Sequence, residues 1–459
     1  MGPEDRQEGL TGYDRVPYPG HPFPQTHPDR LATVAALFGL RAAPPDACRV
    51  LELGCGDGGN LVPLAYALPG STFCGIDLSG RAIDRAAATA RALGIGNVEL
   101  HRADLGALPE LGEFDYVIAH GVYSWIEPAA RDALLAACRS HLAPGGVAYV
   151  SYDVLPGGHL REITRQMLRW HLRAVDEPEQ RIAQARALLQ AIAASGGEMQ
   201  PAAERALEQG DAALFHDELA PHHEAVLFAD FVAHAGANGL RFLAEADVFE
   251  MDASVLPEPV DDPVEREQYL DFFKCRMFRQ TLLCHADAEL LAPGPEVVRG
   301  MLAATPAKPV GEGEFRGPLG ATLTTDHEGV KAALTRLGEA WPAALPVAEL
   351  GDDPTVTEML RRAYAANLVR LHVWAPRLTT AASERPVASA VARLQAAEGT
   401  RVTTLLHTSV EVGDELGRRL IRLLDGTRDR AALLAELDRP ADELERSLEG
   451  LARIGLLEA

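Results

Sequence analysis

The chain of 459 residues carries a formal net charge of −23, so electrostatic repulsion disfavours binding to nucleic acid or anionic lipid and mildly favours a cationic substrate. Its apolar fraction of 47% is typical of globular proteins, and the length predicts two or three domains. The first fifteen residues lack the apolar core of a signal peptide and no apolar run approaches the roughly 18 residues of a membrane span, so we expect a cytoplasmic protein without membrane insertion.

The first predicted region is an N-terminal arm, residues 1–40, whose beginning is rich in proline and has neither helical nor strand periodicity. It carries Tyr18, Phe23, Thr26 and His27. Such an arm could fold over a ligand site as a lid, or it could be a passive strap on the surface. Under the first interpretation Tyr18, Thr26 and His27 would contact a substrate.

Alternating strands and helices follow the arm. The pattern predicts strands at 48–54, 71–79, 97–105, 113–121 and 145–153, and helices at 59–68, 80–94 and 128–142. Strands that alternate with helices of this length predict a parallel sheet covered on both faces, with a ligand at the carboxyl ends of the strands.

Glycines crowd the end of the first strand, in the stretch VLELGCGDGGN at 50–60. A dinucleotide site would have the spacing G-x-G-x-x-G, whereas this stretch has Glu52-x-Gly54-x-Gly56-x-Gly58. The observed spacing resembles the first motif of class I S-adenosylmethionine-dependent methyltransferases. Asp77 ends the second strand, where both kinds of site have an acid for the ribose hydroxyls. Asp104 follows the third strand and could accept from an adenine amino group, which favours the methyl donor.

The cofactor expected from this resemblance is therefore S-adenosylmethionine. Its predicted contacts come from the ends of four strands and the loops that follow them. They are Glu52, Gly54, Cys55, Gly56, Asp57, Gly58, Asn60, Asp77, Leu78, Ser79, Asp104, Leu105 and His120.

The flanking sequence resembles a narrower group. The segments at 13–40, 119–126, 142–161 and 278–287 are similar to class I methyltransferases that carry a methyltransferase regulatory domain, a group that includes protein-lysine methyltransferases of rickettsial outer-membrane proteins. The resemblance spans nearly the whole chain and implies a protein or peptide substrate. Asp153 and Leu155 stand where a more polar or aromatic pair would be expected, so the rim of the substrate cleft is predicted to differ.

The chemistry implied is direct attack on a sulfonium methyl group, which needs alignment and desolvation. A lysine acceptor must first lose a proton, at a cost of roughly 4 kcal/mol near neutral pH, and an apolar cleft lowers its pKa. His120, Tyr123 and Trp125 follow the fourth strand, so His120 and Tyr123 are the candidate catalytic residues and Trp125 a candidate substrate contact. The alternatives are that Trp125 belongs partly to the core and that Tyr123 only covers the adenosine.

Beyond the fifth strand, helical periodicity predicts an insertion at about 156–222, after which helix-strand pairs at 223–247 and 264–286 supply two more strands. His216, Asp217, His222 and His223 lie together in the sequence, but their spacing matches no metal site, so we expect none. The six cysteines are scattered without CxxC pairing and are predicted to be reduced core thiols.

The C-terminal third begins with a Pro- and Gly-rich boundary at 293–320. Two stretches beyond it, 347–374 and 434–459, share a helix-helix-helix-strand order that predicts a pair of winged-helix-like units. The helix that would read DNA carries four acids and two arginines, which argues against nucleic acid. The last unit resembles modules that hold peptides; it would present a protein or peptide substrate, or be architectural.

The predicted fold is therefore an α/β Rossmann-like class I methyltransferase sheet with a helical insertion, followed by α+β winged-helix-like units. Its predicted domains are the arm (1–40), the S-adenosylmethionine-binding domain (41–292), a linker with the first unit (293–380) and the C-terminal unit (381–459). The predicted function is N-methylation of lysine in a protein or peptide. The alternatives are methylation of a small natural product and a non-catalytic protein that binds the cofactor.

Overall fold

A seven-stranded sheet organises residues 49–285 of the computed structural model, which describes residues 12–292, 294–317 and 320–458. The strands are β1 (Arg49–Leu53), β2 (Thr72–Asp77), β3 (Val98–Arg102), β4 (Phe114–Ala119), β5 (Leu142–Asp153), β6 (Leu240–Glu245) and β7 (Phe278–His285). They are ordered β3-β2-β1-β4-β5-β7-β6. Strands β1 to β5 are parallel as predicted, and β7 is antiparallel to both of its neighbours.

Helices cover both faces of this sheet. The helices up to residue 274 are α1 (Gly12–Arg15), α2 (Pro28–Leu37), α3 (Leu61–Ala67), α4 (Gly80–Ala92), α5 (Pro128–His141), α6 (Gly158–His171), α7 (Pro178–Ala194), α8 (Gln200–Glu208), α9 (Asp211–Ala213), α10 (Phe228–Ala237) and α11 (Pro263–Lys274). Apolar residues of α2, α3 and α4 fill the core on one face, and those of α5 and α10 fill it on the other. Helices bury both faces of the sheet. A ligand is therefore expected at the edge where the parallel strands have their carboxyl ends.

The helical insertion has a small core of its own. Helices α6 to α9 follow β5, and buried residues such as Leu168, Leu189 and Leu214 pack them together. The insertion therefore rises from the carboxyl end of β5, beside the edge where a ligand is expected.

A buried ionic cluster joins β6, β7 and α11. The guanidinium of Arg279 donates to Glu245 at 2.6 Å, to Asp271 at 3.0 Å and to Glu267 at 3.1 Å. Each of these four side chains is almost fully buried. Replacing one member would leave an uncompensated buried charge, so the cluster fixes α11 against the antiparallel end of the sheet.

The region after residue 292 contains a first small unit. Its elements are α12 (Pro295–Arg299), β8 (Leu302–Ala304), β9 (Lys308–Gly311), β10 (Glu314–Arg316), β11 (Thr322–Thr324), α13 (Glu328–Ala340), β12 (Leu345–Pro346), α14 (Pro354–Ala365) and β13 (Arg370–His372). They form two three-stranded sheets around one apolar core. The segment predicted as a Pro- and Gly-rich boundary thus holds a helix and three strands, because its apolar residues Val298, Met301 and Phe315 are buried in that core.

A second unit completes the chain. It consists of α15 (Ala390–Glu398), β14 (Arg401–Thr403), β15 (Ser409–Glu411), α16 (Glu415–Leu423), α17 (Arg430–Leu437) and α18 (Ala441–Arg453). The predicted helix-helix-helix-strand order is present, since α16 to α18 precede residues 457 and 458, which bridge to Ala388 and Leu378. Helix α18 follows Pro440 and buries Leu444, Leu448 and Ala452 on one face.

This second unit contacts the sheet domain close to the glycine-rich loop. Tyr66 of α3 donates to Glu458 at 2.6 Å and accepts from the backbone of Ala390 at 3.1 Å. Nε2 of His407 lies 2.8 Å from Oδ1 of Asn60. The C-terminal unit therefore touches the residue that immediately precedes α3.

Two further expectations concern the described part of the chain. None of its helices combines the length and the apolar character that crossing a bilayer requires. Five of the six cysteines are buried free thiols as predicted, whereas Cys275 is exposed because it caps the end of α11 at the surface.

Candidate active site

The loop after β1 is shaped by its glycines. Gly54, Gly56 and Gly58 all have positive φ angles, and the backbone amides of Gly54 and Cys55 donate to the carbonyl of Ile76 in β2. A Cβ on Gly54 would lie 2.6 Å from Val122, whereas a Cβ on Gly56 would meet no heavy atom within 4 Å. The loop is therefore tightly packed at Gly54. It is open at Gly56, where a ligand can approach the backbone.

Asp77 fixes the open part of this loop. Its carboxylate accepts from the backbone of Gly56 at 2.9 Å and from that of Ser79 at 2.8 Å. Burial raises the pKa of Asp77, and these two bonds lower it. The next residue, Leu78, is 52% exposed at the same edge. Ser79 caps α4 and donates to Asp14 at 2.6 Å, so it serves the protein's own structure.

Asp104 and Leu105 follow β3 and lie at the edge of the same region. The Asp104 carboxylate is exposed and accepts from Gly106 at 2.8 Å, and Leu105 is half-buried. The predicted contacts of β1, β2 and β3 are therefore brought to one edge of the sheet.

Glu52 is the most unusual residue of the site. Its side chain is buried, with Oε1 accepting from Asn60 at 2.9 Å and Oε2 lacking any hydrogen-bond partner. Burial raises the pKa of Glu52 to about 8; the bond from Asn60 lowers it and the nearby Asp77 raises it. A buried hydrogen-bond acceptor without a partner costs free energy. None of the groups that shift the pKa of Glu52 is a cation. The Glu52 carboxyl fits the positively charged amino group of a ligand held on the glycine loop.

Asn60 gathers three segments of the chain around the same point. Its Oδ1 accepts from the backbone of Phe23 at 2.9 Å and lies 3.2 Å from Oγ1 of Thr26. The same oxygen accepts from Nε2 of His407 at 2.8 Å. Asn60 thus connects Glu52 to the arm and to the C-terminal unit, and no pattern in the sequence indicated His407.

Two of the predicted cofactor contacts face away from the open side of the loop. The Cys55 side chain is buried beneath it, where burial raises the pKa of the thiol well above its usual range. The Asp57 carboxylate accepts from the backbone of Gly20 at 3.1 Å, so it holds the arm. The bare Cα of Gly59 lets Gly20 pack against it, since a Cβ there would lie 2.3 Å from the Gly20 carbonyl carbon.

The arm lies across the carboxyl edge of the sheet, which favours the lid interpretation. The Phe23 ring stacks on His120 with centroids 3.7 Å apart, and the Tyr18 hydroxyl is 3.5 Å from Asp217 of the insertion. Thr26 and His27 were expected to contact a substrate, but both side chains are engaged within the protein. Thr26 is buried against Asn60, and His27 caps α2 by accepting from Asp29 at 3.0 Å.

His120 directly follows β4, in an apolar environment between the Phe23 and Phe278 rings. Its Nδ1 lies 3.0 Å from the Tyr149 hydroxyl and 3.3 Å from Ser151 Oγ. Tyr149 itself donates to Gln280 at 2.9 Å, so its oxygen is an acceptor toward Nδ1. That arrangement assigns the hydrogen to Nδ1 and leaves Nε2 as the acceptor.

Burial also lowers the pKa of His120 to about 4. The ring is therefore neutral at physiological pH. It can accept a hydrogen bond through Nε2, and it is too weak a base to hold a proton.

Tyr123 and Trp125 do not join His120. Tyr123 is buried, its ring packs against Phe231 and its hydroxyl lies 2.9 Å from Nδ1 of His234. The indole of Trp125 has the guanidinium of Arg161 5.0 Å from its ring centroid. Both residues lie in the short 3-10 turn that follows β4, where Tyr123 enters the core and Trp125 is half-buried beside Arg161 and His223.

Asp153 is likewise no part of a cleft rim. It is buried and accepts from His223 at 2.7 Å and from Arg161 at 3.1 Å. The nearby histidines are separately engaged, since Nε2 of His216 bonds the Val16 carbonyl. No three potential ligands come together to hold a metal ion within residues 12–292, 294–317 and 320–458.

Three family models match the chain. Residues 50–146 match "Methyltransferase domain", residues 210–285 match "Predicted methyltransferase regulatory domain" and residues 384–452 match "PKMT, C-terminal winged helix domain". The second of these includes β6 and β7, so it forms part of the sheet. The third lies within the predicted C-terminal unit.

Two curated relatives come from Rickettsia prowazekii. Uncharacterized protein RP789 is 36% identical over 61% of this chain and 53% of its own length. Uncharacterized protein RP028 is 36% identical over 39% of this chain and 72% of its own length. The chain thus spans about half the length of RP789.

The whole fold is found in a solved structure. PKMT2 from Rickettsia typhi, in complex with AdoHcy, superposes with a TM-score of 0.85 at 24% sequence identity, over 96% of this chain and 100% of that one. The fold is therefore shared from the sheet to the C-terminal unit. By its matched regions and by its 36% identity to RP028 over 72% of that protein's length, the chain belongs to the family of methyltransferases that carry the methyltransferase regulatory domain.

Proposed function

From this membership we propose that the chain transfers a methyl group from S-adenosylmethionine to a lysine side chain of a protein or peptide. The observation that carries the cofactor assignment is the buried, unpartnered Oε2 of Glu52 beside the open backbone at Gly56. The name of the matched C-terminal domain and the PKMT2 likeness support the protein substrate.

The residues that would hold the cofactor divide by chemistry. Glu52 fits the amino group of the methionine part, and the open backbone around Gly56 fits close approach of the ligand. Asp77 retains lone pairs for the ribose hydroxyls, while exposed Leu78 and half-buried Leu105 offer apolar cover for the adenine. Asp104 would accept from the adenine amino group.

The bound cofactor supplies an electrophilic methyl group on a sulfonium centre. The protein's task is then to present a neutral amine. Phe23 and Phe278 exclude water around His120, which disfavours the ammonium form of an entering lysine. Nε2 of His120 accepts a hydrogen bond from that amine and orients its lone pair. Because the pKa of His120 is about 4, the departing proton goes to solvent and is not kept on the ring.

Calorimetry and labelling test this proposal in two steps. We expect micromolar binding of S-adenosylhomocysteine and no binding of NAD to the full chain; the reverse result would contradict the cofactor assignment. A proteome incubated with the chain and isotopically labelled S-adenosylmethionine should then acquire label on lysine side chains, detected by mass spectrometry. Label confined to small molecules would overturn the protein substrate in favour of a natural-product acceptor.

A further inference from the structure

The surface next to the candidate active site carries a line of five exposed large apolar side chains, four of which are aromatic. Three of them lie on α11 and two more follow it into the start of β7; we call these five residues the α11 ridge. They are Tyr269 (41% exposed), Phe272 (47%), Phe273 (52%), Met277 (36%) and Phe278 (39%). Contiguous exposed apolar surface of this kind marks an interaction site more often than chance.

The ridge leads directly to the reaction centre. Its last residue, Phe278, has its ring centroid 6.0 Å from that of His120. Its first residues, Tyr269 and Phe272, have ring centroids 6.2 Å apart on one face of the helix. A chain that places a side chain at His120 therefore meets the ridge as it leaves the site.

Acidic side chains continue the same surface beyond the aromatic part. Glu265 lies four residues before Tyr269, so the two share a face of α11. The segment 252–265 exposes five acids, namely Asp252, Glu258, Asp261, Asp262 and Glu265.

The three cations of segment 252–278 offset only part of this charge. Arg276 is buried with Asp271, so two half-buried cations, Arg266 and Lys274, stand against the five exposed acids. The surface thus passes from aromatic beside the active site to acidic at the far end of α11.

The ionic cluster makes this ridge rigid. Asp271 and Glu267 on the inner face of α11 bind Arg279, which lies one residue beyond Phe278. The aromatic side chains are therefore presented on a fixed helix, and a partner would not have to order them first.

We propose that the α11 ridge docks the segment of the substrate protein that flanks the methylated lysine, and that this segment is apolar beside the lysine and basic farther along. The proposal rests on the function proposed above and names its substrate class. Charge complementarity with the exposed acids and continuity with the site at His120 select this occupant. From Phe273 to Glu265 the helix rises about 12 Å, which an extended peptide covers in about four residues.

Three synthetic peptides of equal length test the ridge by fluorescence anisotropy in the presence of S-adenosylhomocysteine. The first carries one lysine flanked by valine and leucine, with two arginines about four residues beyond. The second replaces the arginines by glutamates, and the third replaces the apolar residues by serine. We expect the first peptide to bind at least tenfold more tightly than either of the others; equal affinities would overturn the proposal.

Surface variants assign that preference to the ridge. Asp261→Lys/Glu265→Lys should reverse the order of the first two peptides, and Phe272→Ser/Phe273→Ser should remove the difference between the first and the third. Glu384→Lys/Glu449→Lys makes the same charge change on exposed positions of the C-terminal unit and should leave the order unchanged. If this control variant changes the order of the peptide affinities to the same extent, the peptides respond to net charge alone and the ridge is not the docking site.

The remaining outcomes separate the two proposals. A wild-type dimer in sedimentation that Phe272→Ser/Phe273→Ser converts to a monomer would assign the ridge to a second copy of this chain and overturn peptide docking. Peptide binding needs no turnover, so the expected peptide order together with absent S-adenosylhomocysteine binding would support the ridge and refute the proposed function.

Discussion

Two buried acidic sites in this protein are built on opposite plans. Around Arg279, three carboxylates from β6 and α11 face two guanidinium groups, since Arg276 also pairs with Asp271 and Glu267, and each carboxylate has a cation within the chain. At the glycine loop, Glu52 is equally buried, yet within the described residues its one hydrogen-bond partner is the neutral amide of Asn60, and its other carboxyl oxygen has none. The first site has its opposite charges in the folded chain, whereas the second is proposed to obtain one from a ligand.

The difference shows how a structural carboxylate is told from a binding one. Burial alone does not distinguish them, since every side chain concerned is nearly inaccessible. What differs is whether the chain supplies the opposite charge. A compensated cluster contributes to the stability of the fold, and an uncompensated acid contributes affinity for a cation.

The largest expected effect breaks the compensated site. Arg279→Met should lower the free energy of unfolding by about 3 to 5 kcal/mol, because buried Glu245 loses its cation and Arg276 alone remains for Asp271 and Glu267. Urea denaturation followed by circular dichroism measures it. Arg361→Met removes an exposed ion pair on α14 and should cost less than about 1 kcal/mol. Equal losses for the two variants would contradict the structural role assigned to Arg279.

The next effect concerns His120, which is proposed to orient the acceptor amine. His120→Ala should lower turnover by a factor of about 10² while the affinity for S-adenosylhomocysteine changes little, because a misplaced acceptor reacts about 10²-fold more slowly. The pH-rate profile between pH 6 and 9 should show no limb from His120, whose pKa lies near 4. His171→Ala, at an exposed position of α6, is the control. Near-normal turnover, or affinity lost in proportion to activity, would assign His120 to packing.

A smaller effect sharpens the contrast at Glu52. Glu52→Gln should weaken S-adenosylhomocysteine binding about tenfold above pH 8, the range for one lost charge-assisted hydrogen bond. Wild-type affinity should rise between pH 6 and 9 as the carboxyl of pKa about 8 ionises, and the variant should show no such rise. Calorimetry at four pH values measures both, with exposed Glu99→Gln as the control. A pH-independent wild type would refute the ammonium contact.

Glu52→Gln should also change the free energy of unfolding, in the direction opposite to Arg279→Met. Folded Glu52 keeps a proton that the unfolded chain releases near pH 4.5, so wild-type stability from this group is full below pH 4.5 and is lost as pH rises to about 8. Glu52→Gln has no proton to lose. Its free energy of unfolding relative to wild type should therefore increase between pH 5 and 8, and a constant difference would contradict the raised pKa.

The smallest effect tests whether the C-terminal unit contributes to the loop. His407→Ala should weaken S-adenosylhomocysteine binding two- to fivefold, consistent with about 0.5 to 1 kcal/mol for one hydrogen bond. A double-mutant cycle with Asn60→Ala should give a coupling energy of similar size. Arg439→Ala, exposed on the same unit, should change nothing. Additive effects in the cycle would show that His407 does not act through Asn60.

Much of the fold was predictable because its signals are local. Each of β1 to β4 lies within its predicted range, and β5 begins three residues before its range, since strand and helix periodicity are read over a few residues. The winged-helix order at the C-terminus was readable for the same reason. The structure of 293–320 was not predictable, because β8 within it pairs with β12 and β13, which lie far along the chain.

The site residues at the strand ends were predictable for a similar reason. Spacing alone indicated Glu52, the glycines and Asp77, since strand ends in a parallel sheet must meet. The direction of the side chains after β4 could not be predicted, because a single 3-10 turn sends Tyr123 into the core while His120 stays at the edge. The orphaned oxygen of Glu52 and the neutral state of His120 follow from burial, which no spacing reports.

The order of elements, the glycine loop and the family can be read from the sequence, because these depend on residues that are neighbours along the chain. Which groups lie around the loop depends on the tertiary structure. Asn60 meets Phe23 and His407 across 37 and 347 residues, and the aromatic line on α11 reaches His120 only because β7 packs beside β5. Contacts across such separations depend on how the units pack, and periodicity carries no record of that packing.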